Sequence, residues 1–370
     1  MHILFAGGGT AGHINPALAV AGYIKEKHPE TKISYIGTST KLEAKLVPDC
    51  GYDFYAIDVA GFQRKISPKA IAHNIDAAYK ALSASLKVRK LLKELKPDIV
   101  IGTGGYVSGP VIKAAQNLGI KTAIHEQNAF PGVTTKMLAP KANCVMLAMP
   151  EAEKYLKIKK KCVITGNPVR SELLQIDKIA ARDKLLLTAD IPVILSFGGS
   201  LGARPINDAI TELIKWHNNT DKFYHIHATG KNGYETMLQN LSGIELSEKV
   251  IIKEYIYDMD LCMAAADIVI GRAGAITLSE IQNCGKASIL IPSPYVAENH
   301  QYHNAMTLKN VGAAEVIEEK DLNGEKLIEA ISMLTENKEL LRNMGKNAKN
   351  SAISDANIRI YNEICKLVKF

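Results

Sequence analysis

The chain has 370 residues, of which 47% are hydrophobic, 22% charged and 6% aromatic; this is enough apolar material for two domains of ordinary size, and it excludes a disordered polypeptide. The net charge of +7 is concentrated: between Arg64 and Lys96 nine Lys or Arg face only Asp76 and Glu94, so the remainder is neutral. Six cysteines (Cys50, Cys144, Cys162, Cys262, Cys284, Cys365) form no Cys-x-x-Cys pair and have no nearby His spacing, which argues against a zinc site or a disulfide framework and for a reducing cytosol.

The start, Met1-His2-Ile3-Leu4-Phe5-Ala6, has no basic flank and too short an apolar run for a signal peptide. No window approaches the roughly 18 apolar residues of a spanning helix, so membrane contact is expected to be peripheral.

In chain order, a unit of apolar strand, glycine-rich turn and helix occurs four times. The first is Ile3 to Ala6, then Gly7 to His13, then a helix from about Pro16 to Lys27. The second is Asp98 to Gly102, a loop Thr103 to Gly109, and a helix opened by Pro110. Val193 to Phe197, Gly198 to Ala203 and a helix near Pro205 make the third; Asp267 to Gly271, Arg272 to Ala275 and a helix through Cys284 make the last. Continuous apolar strands predict parallel sheets covered on both faces, with ligands beyond the strand carboxyl ends. Two halves whose loops face each other would form one cleft. The boundary is predicted near Gly166-Asn167-Pro168, and a final helix over about Asn347 to Val368.

Gly7, Gly9 and Gly12 spell G-x-G-x-x-G after a strand, a phosphate-binding arrangement. A nicotinamide site needs an acid closing the second strand. That strand ends Ile36-Gly37-Thr38-Ser39-Thr40, and Glu43 comes too late. His13 follows the loop and reads either as a proton acceptor or as a helix-start histidine. Gly104, Gly105, Tyr106 and Ser108 are either acceptor contacts or a turn that needs backbone freedom. The polar run His125-Glu126-Gln127-Asn128 closes a strand and reads as site lining. Asp258-Met259-Asp260 has the form of a metal-holding D-x-D, but it precedes an apolar helix, so capping is the better reading. Glu280 suits a ribose diol or an ordinary helix-start charge. The basic segment carries Ile71, Ile75, Tyr79, Leu82 and Leu86 at helical spacing, which fits a core stripe or a face resting on an anionic bilayer. No stacking aromatics accompany it, so nucleic acid is not expected as a partner.

Together, Gly8 to His13, Thr103 to Pro110, His125 to Asn128, Gly166-Asn167-Pro168-Val169-Arg170, Gly198-Gly199-Ser200, Arg272 to Glu280 and Gln301-Tyr302 resemble the MurG family of N-acetylglucosaminyltransferases, in glycosyltransferase family 28. The resemblance spans nearly the whole chain. It implies an α/β GT-B architecture of two Rossmann-like doubly wound domains facing an interdomain cleft: 1–166 for acceptor and membrane, 167–345 for UDP-GlcNAc, and a helix within 346–370 packing back on the first domain. It also implies inverting transfer of GlcNAc from UDP-GlcNAc to the C4 hydroxyl of undecaprenyl-pyrophosphoryl-MurNAc-pentapeptide (lipid I), giving lipid II.

By the same resemblance Ile256 meets uracil, Glu280 the ribose, and Ser200 and Arg170 the diphosphate. Ala275, Ile276 and Thr277, with Gln301 and Asn128, surround the GlcNAc, Leu278 and Ser279 belong to the donor-binding set, and Thr10, Ala11 and Gly12 approach donor or acceptor phosphates from the other side. Gly104, Gly105, Tyr106, Ser108 and His125 are the candidate acceptor contacts, His13 the candidate base and Glu126 the reserve. No cofactor or metal is expected. The expected location is the cytoplasmic face of the membrane, held there by the Arg64–Lys96 segment and within reach of cell-wall synthesis proteins. Leu201 and Ala273 stand where the family often has Gln and Ser, so neither offers a side-chain hydrogen bond. The competing readings are a non-hydrolysing UDP-GlcNAc 2-epimerase and a non-catalytic, membrane-associated UDP-sugar sensor.

Overall fold

The computed structural model describes residues 1–59, 84–158, 162–188 and 190–370, with only the backbone described at Ser171 and Glu172. It divides into two compact units, Met1–Pro168 with Ser354–Phe370, and Val169–Ile353.

The first unit is built on a seven-stranded parallel sheet of β1 (His2–Gly7), β2 (Lys32–Gly37), β3 (Asp53–Ala56), β4 (Ile99–Gly104), β5 (Lys121–Glu126), β6 (Cys144–Leu147) and β7 (Val163–Ile164), in the order β3-β2-β1-β4-β5-β6-β7. Alternate residues of β1 feed two cores. Ile3 and Phe5 pack with Ala17 and Val20 of α1 (Ala11–Lys27) and with Ile360 and Ile364, whereas Leu4 and Ala6 pack with Val100, Val111 and Ile112. This two-sided burial is why the strand is apolar throughout. The remaining helices are α2 (Glu43–Asp49), α3 (residues 84–95), α4 (Gly105–Asn117) and α5 (Val133–Leu138).

The second unit has a six-stranded parallel sheet: β8 (Val193–Phe197), β9 (Tyr224–Ala228), β10 (Val250–Lys253), β11 (Ile268–Gly271), β12 (Ala287–Leu290) and β13 (Ala314–Val316), in the order β10-β9-β8-β11-β12-β13. Its helices are α6 (Ser171–Gln175), α7 (Lys178–Lys184), α8 (Arg204–Thr220), α9 (Tyr234–Asn240), α10 (Met259–Ala265), α11 (Ala275–Cys284), α12 (His300–Asn310), α13 (Gly324–Glu336) and α14 (Lys338–Asn350). In each sheet the strand order reverses between the two strands that carry the predicted glycine loops, β1 and β4 in one, β8 and β11 in the other. These reversals are the places where open parallel sheets present a ligand crevice.

Two helices begin earlier than their prolines predict. Pro16 and Pro110 lie inside α1 and α4, which start at Ala11 and Gly105. Tertiary hydrogen bonds hold the turn ahead of each proline: Thr103 Oγ1 donates to His13 O at 2.7 Å, and the Ser108 hydroxyl reaches Ala6 O at 2.6 Å while accepting from Gly104 N–H. The predicted terminal helix is in fact two. After α14 the Ser351 hydroxyl turns back onto Ala348 O at 2.8 Å, and α15 (Ala356–Leu367) packs on α1 in the first unit, with Tyr361 hydrogen-bonded to His28 at 2.7 Å. Among the described residues no helix is long and apolar enough to cross a membrane.

Beneath the second sheet lies a buried histidine cluster. Ser196 Oγ bridges His225 Nε2 and His227 Nδ1, each at 2.7 Å, and His217 stacks on Phe223. Burial holds His225 well below the usual imidazole range and His227 down to about 4. His225 and His227 resist protonation in the fold, whereas the unfolded chain takes up protons near 6.5. Stability is therefore complete above pH 6.5 and is lost as pH falls toward 4; the gap at His227 alone corresponds to about 3 kcal/mol. Thermal melts should show this fall between pH 6.5 and 4, with His227→Gln flattening the slope; an unchanged melting temperature across that window would contradict it.

Candidate active site

In the first unit, the β1 loop leads directly into α1. Gly9 is left-handed (φ 91°), Thr10 is extended, and the first intrahelical bonds run from His13 and Ile14 N–H to Thr10 O. The N–H groups of Ala11 and Gly12 lie ahead of that ladder, in the position where a helix start receives an anion. A buried carboxylate braces the loop from below: Glu43 Oε2 accepts from Gly9 N–H at 3.2 Å, and Oε1 accepts from Thr38 N–H and Oγ1. The residue set aside as too late for a ribose is thus a support for the loop. A Cβ on Gly8 would come within 2.4 Å of Glu43 Oε1, so any side chain there would push the carboxylate off its donors. Tyr106, on the first turn of α4, lines a cavity of about 420 Å³ with Gly9, Thr38 and Lys41, and burial raises its phenol pKa.

His13 is half-buried over Gly104, whose backbone is left-handed (φ 103°) and leaves no room for a Cβ beside the imidazole. A chain of hydrogen bonds fixes the tautomers. His125 Nε2 donates to Gly166 O at 2.9 Å, leaving its Nδ1 to accept from Gln127 Nε2 at 3.0 Å; Gln127 Oε1 then accepts from His13 Nδ1 at 3.1 Å. The proton of His13 is therefore on Nδ1, and its Nε2 carries the lone pair. Burial lowers the pKa of His125. Gln127, read from the sequence only as part of a polar run, is the link that orients the candidate base.

Three of the expected contacts have other duties. The Glu126 carboxylate is 4% exposed and takes four donors: Asn128 N–H (3.2 Å) and Nδ2 (3.1 Å) on one oxygen, Gly132 N–H (3.0 Å) and Thr135 Oγ1 (2.6 Å) on the other. It organises the loop after β5 and has no free oxygen with which to serve as a base. His125 and Ser108, each 2% exposed, spend their polar atoms inside the unit. Neither presents a side chain to an acceptor.

In the second unit, the loop Gly198 to Ala203 leads into α8 with Gly199 and Gly202 left-handed, and Ser200 is exposed. A Cβ on Gly202 would meet Thr229 O at 2.0 Å, so this loop closes against the end of β9 only with glycine. On α11 the first intrahelical bond is Leu278 N–H to Gly274 O, which leaves the Ile276 and Thr277 N–H groups at the helix start. Leu278 is wholly buried and Ser279 Oγ donates to Ala275 O, so these two expected contacts face the core. Ile256 is also buried and offers a ligand only its backbone.

Glu280 sits one turn along α11, where burial raises its pKa and Arg170 works against that rise. Arg170 reaches Asp260 at 2.5 Å and Glu280 at 3.6 Å, an ion cluster that no spacing in the sequence announced. Asp258 takes the N-cap position of α10, but its side chain accepts no helix N–H, so the expected capping bond is absent, and Asp260 belongs to Arg170. Among the described residues no three His, Cys, Asp or Glu side chains stand together as a metal would require. Gln301 Oε1 accepts from Ser293 N–H at 2.9 Å, just beyond Glu298 and Asn299, two consecutive left-handed non-glycine residues. Strained backbone of this kind gathers at ligand-binding loops.

The N-terminal domain of glycosyltransferase family 28 matches residues 3–147, and the C-terminal domain of the same family matches residues 193–360. The chain belongs to glycosyltransferase family 28. Within the family it is 48% identical over 370 residues, all of this chain and 99% of its relative, to a UDP-N-acetylglucosamine--N-acetylmuramyl-(pentapeptide) pyrophosphoryl-undecaprenol N-acetylglucosamine transferase of Acetivibrio thermocellus. It is 45% identical to the protein of the same name from Caldanaerobacter subterraneus subsp. tengcongensis, over 98% of each chain. The crystal structure of Acinetobacter baumannii MurG is similar over 99% of both chains, with a TM-score of 0.79 and 30% identity. As a family 28 chain it carries Leu201 with its side chain two-thirds exposed, and Ala273 fully buried with its carbonyl accepting from Asn304 Nδ2. At Leu201 the backbone is what remains available to a ligand, whereas Ala273 is shut inside the unit.

Proposed function

We propose that the chain transfers GlcNAc from UDP-GlcNAc to the C4 hydroxyl of undecaprenyl-pyrophosphoryl-MurNAc-pentapeptide in one inverting displacement. The observation that carries this reading is the tautomer chain that ends on His13 Nε2. The acceptor hydroxyl gives its proton to that nitrogen as its oxygen bonds to the sugar C1. The C1–oxygen bond to the diphosphate breaks, its electron pair leaves with UDP, and the α link becomes β. The Ile276 and Thr277 N–H groups at the start of α11 receive the growing negative charge, and Arg170, released from Asp260, adds to them. The α1 start at Thr10, Ala11 and Gly12 suits a second diphosphate, and Tyr106 with the adjacent cavity suits the acceptor. Gln301 and Asn128 are assigned to the sugar, and Glu280 to the ribose hydroxyls. The protein donors carry the leaving-group charge in this scheme without a metal. Incubation with UDP-GlcNAc and a lipid I analogue should yield a β-linked disaccharide; UDP-ManNAc formed with no acceptor present would replace this reading with epimerisation.

We further propose that the enzyme works at the cytoplasmic face of the membrane through the basic segment. Residues 60–83, which carry Arg64, Lys65, Lys69, Lys80 and most of the apolar stripe, lie outside the described residues. In α3, Leu86 is two-thirds exposed beside exposed Lys87, Arg89 and Lys90, an arrangement that supports contact with an anionic surface. Charge reversal at Lys65, Lys69 and Lys80 should reduce co-sedimentation with anionic vesicles; undiminished binding would assign attachment elsewhere.

A further inference from the structure

The second unit has a cavity of about 670 Å³ away from its glycine loops, walled by α14 and floored by the residues around the amino ends of β11 and β12 and the end of α11. Its size falls within the usual range of small-ligand sites. The donor-side loops leave the carboxyl ends of β8 and β11, so this cavity opens at the opposite edge of the sheet.

Six cations line the cavity against one carboxylate. Lys338, Arg342, Lys346 and Lys349 recur at spacings of four, four and three along α14, and Lys178 and Lys286 face them. The carboxylate, Asp267, is already held by Lys178 and Arg182, each at 2.5 Å, and accepts from Val193 N–H. Two of the cations have structural duties at helix ends: Lys286 Nζ donates to Ala264 O and Ala266 O, and Lys349 Nζ to Asn283 O. Lys338, Arg342 and Lys346 have neither a carboxylate nor a carbonyl partner among the described residues. Like charges one helical turn apart destabilise a helix by about 0.2–0.5 kcal/mol per pair, and this stripe has several in a row. Packing keeps the stripe over the cavity, because Gly345 lies so close to Gly285 that a Cβ on it would meet Gly285 O at 2.6 Å.

We propose that this cavity is a further anion site, apart from those at the starts of α1 and α11, which takes a phosphate-bearing group with at least two negative charges, clamped between the α14 stripe and Lys286. Lys286 is 6% exposed, and burial, together with the charge of Lys178 and Arg182, brings its pKa down to about 8. An anion in the cavity relieves that repulsion. A soluble diphosphate and an anionic lipid headgroup share this chemistry.

The test keeps the full-length enzyme saturated with UDP, so that the donor site is filled, and titrates inorganic pyrophosphate by calorimetry. In parallel, binding to vesicles of 30% phosphatidylglycerol in phosphatidylcholine is measured. Arg342→Gln/Lys346→Gln removes two exposed cations without touching the core. Saturable pyrophosphate binding that weakens at least tenfold in this variant, with the KM for UDP-GlcNAc unchanged, supports a soluble ligand. Vesicle binding weakened tenfold, with no pyrophosphate binding, supports a headgroup. If neither probe binds, or both bind the variant as they bind the wild type, the proposal is overturned.

Discussion

Replacement of His13 by alanine should lower turnover roughly 10²- to 10⁴-fold, the span usual for loss of a positioned general base. The KM for UDP-GlcNAc and the melting temperature should stay near the wild-type values. This separation is expected because His13 is half-buried and, among the described residues, its Nδ1 bonds only to a side-chain amide. The same chain predicts that Gln127→Leu gives a smaller fall in kcat with an intact fold, since the imidazole remains and loses only its orientation. Wild-type turnover in His13→Ala would remove the proposed base.

Glu126→Ala should act differently, through stability. Deleting the carboxylate leaves the N–H groups of Asn128 and Gly132 and the Thr135 hydroxyl without their acceptor. Thr135 is buried, Asn128 half-buried and Gly132 exposed; an unsatisfied buried donor costs roughly 1–3 kcal/mol, so the loop after β5 should loosen and the melting temperature should drop by a few degrees. Activity falls as a consequence, because Gln127 and Asn128 ride on that loop. Glu126→Gln, which presents two donors of its own to the ring of donors, should rescue only part of the loss. A Glu126→Ala protein that melts like wild type but does not turn over would restore the carboxylate as a chemical participant.

The scaffold of both units was legible in the sequence because its signal is local. A strand buried on two faces must be continuously apolar, and a backbone that approaches a phosphate must be rich in glycine, so the loops after β1, β4, β8 and β11 announced themselves. Helix starts were less legible. Pro16 and Pro110 resemble first-turn prolines, and only the bonds from Thr103 and Ser108 to distant carbonyls show why the helices begin five residues earlier.

The roles within His125 to Asn128 were the least legible. The run was visible as polar, but which side chains turn inward depends on Gly166, Gly132 and Thr135, and which nitrogen of His13 is protonated depends on Gln127. Arg170 and Asp260 are 90 positions apart, so their ion pair could be found only in the fold. Leu278 and Ser279 lie within a helix whose every third or fourth residue turns toward the core, and which residues turn inward is visible only in the fold.

The central claim is tested most directly by measuring UDP release from UDP-GlcNAc with and without a lipid I analogue. The account predicts little release from donor alone and a large, saturable increase with the acceptor, abolished in His13→Ala. Release that is indifferent to the acceptor, or donor binding with no release in its presence, would contradict it.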